Sequence, residues 1–285
     1  DAQESRGLGD VYKRQIGGKM EVNKLVAAVG SAGLLGITCL PLSAFADMNW
    51  HSDSLTYQYG KEFKVDAKTV QTITYEHFSD WSWGDVYFFI DNNWYPGGGT
   101  YNDGHHSIYS ETAPRLSLGK MFNSNLAFGP IKDVLIATSI EWDKNDRNGS
   151  HDQVNYLLGP GFDLALPGFD YFQINFYYRK PDGGAAPSGQ WQITPSWAYT
   201  IPMGRSDLVI DGYLDWVVNN KGSYHRNLLF NPQVKYDIGK YLGYKAKHFY
   251  AGIEYNNWSN KYAIKSTKEF NTNQNVTSLI VKYYF

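Results

Sequence analysis

The chain has 285 residues, with 26 Lys and Arg against 28 Asp and Glu, a formal net charge of −2 and one cysteine. That balance excludes the basic footprint of a nucleic-acid binder, and the lone cysteine excludes a disulfide framework. Aromatic residues make up 16 % of the sequence, a share that fits membrane-interface girdles and fits a base- or sugar-binding cleft as well.

Residues 1–19 precede the first methionine, and the run from Gly7 to Gln15 resembles translated adaptor sequence; they are set aside as a non-native leader. Residues 20–46 read as a Sec signal peptide. Lys24 gives the basic start, Leu25 to Leu40 is mostly apolar, and Ala44-Phe45-Ala46 is the cleavage motif. Cys39 follows Gly36-Ile37-Thr38, which lacks the leucine and small residue of a lipoprotein signal. Residues 47–285 are then expected as a single domain without cysteine. No apolar run of about 18 residues follows the signal, so no helix of this chain is expected to span a membrane.

Turn signals divide the domain into twelve segments, at 50–59, 69–79, 84–93, 107–118, 131–142, 152–164, 169–180, 190–201, 207–218, 226–238, 246–257 and 274–285. The connections alternate between tight ones, such as Asp80-Trp81-Ser82-Trp83 and Pro202-Met203-Gly204-Arg205, and longer polar ones near 94–106, 143–151, 181–189, 219–225 and 258–273. Short periplasmic turns and long external loops give this rhythm. The stretch 119–130 is long for the periplasmic side.

Alternation is plain inside the segments. In the seventh, Phe172, Ile174, Phe176 and Tyr178 face one way, and Tyr171, Gln173, Asn175, Tyr177 and Arg179 the other. In the ninth, Leu208, Ile210, Leu214 and Trp216 oppose Asp207, Asp211, Tyr213 and Asp215. Phe249, Ala251, Ile253 and Tyr255 oppose His248, Tyr250, Glu254 and Asn256 in the eleventh. The chain ends with Thr277, Leu279, Val281 and Tyr283 on one face and Ser278, Ile280, Lys282 and Tyr284 on the other, before Phe285. Carboxylates on a dry face are costly, so that face must meet water. A soluble sandwich also alternates, but it needs fewer strands and rarely collects so many tyrosines on its wet side. An even strand number and an aromatic closing strand favour closure, which removes sheet edges. The predicted fold is an all-β, twelve-stranded antiparallel transmembrane β-barrel of the outer-membrane type, monomeric, with both termini periplasmic.

Catalytic patterns are missing: there is no Gly-x-Ser-x-Gly, no His-Glu-x-x-His and no phosphate loop. His77, His105, His106, His151, His225 and His248 fall mostly at segment ends or in loops, and the adjacent pair His105-His106 is a weak metal signal. No catalytic residue, metal or cofactor is expected. Asp85, Asp91, Glu141, Asp211, Asp215 and Glu254 read as lumenal, with Arg115, Arg179, Arg226 and Lys282 as partners. They either fill a narrow barrel with ion pairs or line a polar, aromatic conduit. Trp94-Tyr95, ahead of Pro96-Gly97-Gly98-Gly99, is placed either in the mouth as a stacking platform or in the girdle.

Several stretches resemble the nucleoside-specific channels of Gram-negative outer membranes, the Tsx/OmpK-type porins. They are Asn49-Trp50-His51, Thr74-Tyr75-Glu76-His77-Phe78, Asp85-Val86-Tyr87, Pro114-Arg115-Leu116-Ser117-Leu118, Asn125-Leu126-Ala127-Phe128-Gly129-Pro130-Ile131-Lys132, Gly159-Pro160-Gly161-Phe162-Asp163, Leu166-Pro167-Gly168 and Gly212-Tyr213-Leu214-Asp215-Trp216. The resemblance implies a monomeric barrel in the bacterial outer membrane with a narrow channel for nucleosides or other small polar solutes, and phage or colicin reception by external loops in some members. It implies mouth aromatics at Phe63, Trp94 and Tyr95, backed here by lumenal Asp91, Tyr213 and Asp215. It also implies contact with outer-membrane lipid and recognition of Phe285 by the outer-membrane insertion machinery. The external loops match poorly. A barrel enzyme such as a lipid hydrolase, and a plugged structural or adhesive barrel, are the alternatives.

Overall fold

A wall one strand thick, wet inside and apolar outside, requires side chains that alternate with a period of two. That alternation runs through twelve strands: β1 (Met48–Lys61), β2 (Thr69–Trp81), β3 (Gly84–Trp94), β4 (His106–Ser117), β5 (Ile131–Asn145), β6 (Gln153–Leu164), β7 (Tyr171–Asp182), β8 (Gln190–Met203), β9 (Ser206–Val217), β10 (Asn227–Asp237), β11 (Phe249–Ser259) and β12 (Gln274–Tyr284). The structure, a computed structural model, describes residues 47–97, 105–146, 152–182 and 187–285. The expected leader, signal peptide and Cys39, and also His151, lie outside the described residues.

Each strand pairs with the next, antiparallel, and β12 pairs with β1 to close the barrel. The seam runs from Ser54 opposite Tyr284 to Tyr59 opposite Leu279, and the Phe285 N–H donates to the Asp53 carbonyl at 3.1 Å. One end carries tight turns, including Ser82-Trp83 and Gly204-Arg205, where Gly204 takes a φ of 63° that a side chain would resist. The expected long turn is folded: α1 (Leu118–Met121) follows β4, capped by Ser117, whose Oγ accepts from the Lys120 N–H at 2.9 Å. A matching turn, α2 (Ile238–Tyr241), follows β10 with Asp237 as its cap. The opposite end carries the long loops.

In β12 the buried set is Gln274, Val276, Ser278, Ile280, Lys282 and Tyr284, and the exposed set includes Leu279, at 65 %, Val281 and Tyr283. Ile136, Ile140, Leu158 and Ile253 continue this exposed apolar band around the wall. A band of that kind is stable in hydrocarbon and not in water. Aromatics rim it: Phe169, Tyr199, Tyr283 and Phe285 towards the turn end, Trp94, Tyr178, Trp191 and Trp216 towards the loop end.

Candidate functional site

The loop-end mouth is built by the β1–β2 and β11–β12 loops, which turn inward and meet. The first turns through Glu62 and Val65, at φ 67° and 72°; the second through Asn260, Tyr262 and Ala263, at φ 49°, 58° and 58°. Positive φ at a β-branched valine is an unfavourable backbone state that its surroundings must hold. Gly60 makes the inward fold possible, since a Cβ there would sit 2.7 Å from the Phe63 ring and 2.2 Å from Ser278 Oγ. Phe63 is buried against Val70 and Val276, with Tyr95 packed on the cluster. The Tyr95 hydroxyl lies 2.6 Å from Ser107 Oγ.

Lys261 is fully buried beside them. Its ammonium donates to Gln274 Oε1 at 2.8 Å and pairs with Asp66 at 2.7 Å. It lies 5.6, 5.4 and 4.9 Å from the ring centres of Phe63, Trp258 and Tyr262, an aromatic cage for a cation. Burial lowers the Lys261 pKa, opposed by the Asp66 carboxylate. The Tyr262 hydroxyl donates to Asp66 at 2.6 Å, and burial, then that carboxylate, raise its pKa well above the ordinary phenol value. Together these contacts hold the two loops against each other.

Below the mouth, a small cavity of about 30 Å³ lies between Asn155, Arg179, Gln190, Tyr224, Trp258 and Tyr262. Arg179 clamps Glu141 with two bonds, of 2.8 and 2.6 Å, and donates to Gln192 Oε1. Asp215 accepts from Thr194 at 2.6 Å and Gln192 at 2.9 Å. A deeper cavity, about 40 Å³, is lined by Tyr87, Glu111, Arg115, Asn175, Tyr177 and Asp215 among others. Gln173 Nε2 and Asn175 Oδ1 there have no hydrogen-bond partner among the described residues. Arg115 holds Asp85 through bonds of 2.8 and 2.5 Å and Asp163 at 3.0 Å. Phe78, Tyr87, Phe89 and Tyr109 form one cluster with Ala113, Tyr171 and Ala198. Phe78, Tyr87, Phe89, Tyr109 and Ala113 stand on β2 to β4 and Tyr171 and Ala198 on β7 and β8, two stretches of wall that are not adjacent in the sheet, so the cluster narrows the lumen from wall to wall.

The opposite wall is also polar. Lys282 pairs with Glu76 at 2.5 Å and Lys235 with Asp211 at 2.7 Å. Glu254 accepts from Gln58, Gln233 and Asn231 at 2.7, 2.8 and 3.3 Å.

The family model described as "Nucleoside-specific channel-forming protein, Tsx" matches residues 45–285. The chain belongs to this family. Among curated relatives, the nucleoside-specific channel-forming protein Tsx of Klebsiella aerogenes is 30 % identical over 150 residues, half of each chain. Its Salmonella typhimurium counterpart is 28 % identical over 150 residues, 50 % of this chain and 52 % of the relative. The outer membrane protein OmpK of Vibrio parahaemolyticus is 27 % identical over 144 residues, 49 % of this chain and 52 % of the relative. The chain thus spans about half the length of the curated relatives it matches.

In this Tsx-family barrel the six expected site residues divide by place. Phe63 and Tyr95 meet at the mouth. Asp91 lies below them on the lumenal face of β3, accepting from the Thr74 hydroxyl. Tyr213 is buried with Leu229 and Trp258, and Tyr262 packs on that group. Asp215, two residues nearer the loop end of β9 than Tyr213, belongs to the Arg179 network through Gln192. Trp94 does not join them: it is 41 % exposed and tilted against His106 on the outward face. Successive residues of a strand point to opposite sides, so Trp94 and Tyr95 cannot share a pocket. Arg226, expected in the lumen, is exposed in the β9–β10 loop. Lys261 and Tyr262 went unseen in the sequence, because the β11–β12 loop that carries them reads as an ordinary polar connection, and so did Asp66 in the β1–β2 loop. Glu76 and Lys235 were legible as lumenal by strand parity alone.

Proposed function

We propose that the protein is a substrate-selective diffusion channel of a Gram-negative outer membrane and that it passes nucleosides. The observation that carries this reading is the alternation of stacking and hydrogen-bonding groups down one path. Tyr95, Trp258 and Tyr262 stand at the mouth, amides and carboxylates from Asn155 to Asp215 below, then Tyr177, Tyr87 and Phe78 beside Gln173 and Asn175. A nucleoside offers a flat base and a hydroxylated sugar, which are the two chemistries this path would recognise. Base–aromatic stacking supplies about 1–3 kcal/mol per base. Several weak sites in series suit conduction, since one tight site would hold its solute. The names of the relatives support the same solute class and the same membrane. The channel works as a single barrel, and the aromatic pair Tyr283 and Phe285 on its closing strand serves its insertion.

The test is conductance of the purified barrel in planar bilayers, with nucleosides and free pentoses as blockers. Nucleosides should reduce the current at concentrations where the pentoses do not. Equal block by both, or no block by any nucleoside, rejects the assignment.

A further inference from the structure

On the outer wall, towards the turn end, stands a cluster that the lumen does not use. His51 and Asp53 alternate along β1 with lumenal Ser54 and Thr56, so they point outward. His77 of β2 is the cross-strand partner of Asp53, and it alternates with lumenal Glu76 and Phe78. Asp53 sits at the level of the aromatic rim, because its carbonyl accepts from the Phe285 N–H.

The three side chains converge. His51 Nδ1 is 2.8 Å from Asp53 Oδ2, and His77 Nδ1 is 2.8 Å from Asp53 Oδ1. One ligand atom from each residue lies within 4.8 Å of the others. The imidazoles are stacked, with centres 6.0 Å apart. The Tyr75 hydroxyl donates to Asp53 Oδ1 at 2.6 Å and fixes the carboxylate. Residues at i and i+2 of one strand and a cross-strand partner share a face by geometry. The placement therefore rests on two paired strands and not on a loop, which suits a metal site.

We propose that His51, Asp53 and His77 form a binding site for a borderline divalent cation such as Zn2+ on the outer wall of the barrel, with Tyr75 orienting the carboxylate. Two imidazoles and one carboxylate favour Zn2+, Cu2+ or Ni2+ over the hard cations Mg2+ and Ca2+, which prefer all-oxygen sets. Three protein ligands leave a fourth position for water. His51, 52 % exposed at its side chain, marks the side from which the ion arrives. The ion would join β1 to β2 next to the β1–β12 seam. Because only the folded barrel brings these ligands together, binding stabilises it by mass action.

The test uses the tag-free barrel in detergent, titrated with ZnCl2 by calorimetry and, in parallel, heated to the temperature at which it unfolds on a gel. MgCl2 is the control. One Zn2+ should bind per barrel and raise the unfolding temperature, while Mg2+ does neither. Tyr75→Phe should weaken binding by about 10–100-fold, as loss of an orienting partner does. His77→Ala, Asp53→Asn and His51→Ala should each weaken it further. His51 is on the exposed rim, so its variant folds even where the others do not. Absence of Zn2+ uptake at millimolar metal overturns the proposal, and so does unchanged uptake by folded His51→Ala or His77→Ala barrel.

Discussion

At the scale of the residue, Trp94 and Tyr95 show how far identity is from role. Both are large aromatics at the head of one loop, yet one faces outward beside His106 and the other packs on Phe63 and Val276. Stacking by Tyr95 and Phe63 should therefore carry the nucleoside contact at the mouth, and Trp94 should carry none. Replacing either Phe63 or Tyr95 by alanine should weaken nucleoside block by about 5- to 150-fold, the equivalent of one lost stacking contact. Trp94→Ala should leave half-block unchanged and lower only the stability of the barrel in lipid, since an interfacial aromatic has been removed. Titration of the bilayer current with adenosine for the three variants decides it. A large loss of block in Trp94→Ala with none in Tyr95→Ala would reverse the assignment.

At the scale of the element, the strands were legible and the inward loops were not. All twelve strands lie within a few residues of where alternation and turn residues place them, because a wall between lipid and water enforces period two at every position. The loops obey no such rule. The fold of the β11–β12 loop depends on Tyr262 meeting Asp66 and on Gln274 accepting from the Lys64 N–H, partners 196 and 210 residues apart in sequence. No local pattern announces a pair that distant. Of the candidate site, the lumenal parity of Asp91, Tyr213 and Asp215 was readable, and the caged Lys261 was not. The same period gives a test on the lipid face. Leu279, mid-strand in β12 and the most exposed of its apolar set, faces outward from the wall. Leu279→Lys should destabilise the barrel by about 2–4 kcal/mol, the cost of a lysine near the bilayer midplane. Denaturant unfolding in lipid vesicles measures this, and a loss below about 1 kcal/mol, the value expected near an interface, would place the membrane elsewhere on the wall.

At the scale of the whole molecule, the barrel must close where its first and last strands meet, and the lumen holds that seam from inside. Lys282 on β12 reaches past β1 to Glu76 on β2, and Gln58 on β1 reaches past β12 to Glu254 on β11. Ser54, Thr56 and Tyr87 also donate to Glu76, at 3.2, 3.5 and 3.0 Å, so one buried carboxylate gathers three strands around the junction. Lys282 and Glu76 are both buried, at 0 % and 5 % side-chain exposure. Breaking such a pair from one side leaves a desolvated charge and costs about 3–5 kcal/mol, whereas replacing both members can be nearly neutral. Glu76→Gln keeps the shape but removes the charge and one of the two acceptor oxygens, so it should lower barrel stability by at least that amount. Glu76→Gln with Lys282→Met should recover most of the loss, because no uncompensated ammonium remains. The unfolding midpoints of the two variants and the parent, measured in one detergent, carry the comparison. If the double variant is as unstable as the single one, the pair holds the seam by geometry and not by charge compensation. If the single variant is as stable as the parent, water reaches Lys282, and the lumen beside the seam is wetter than its burial implies.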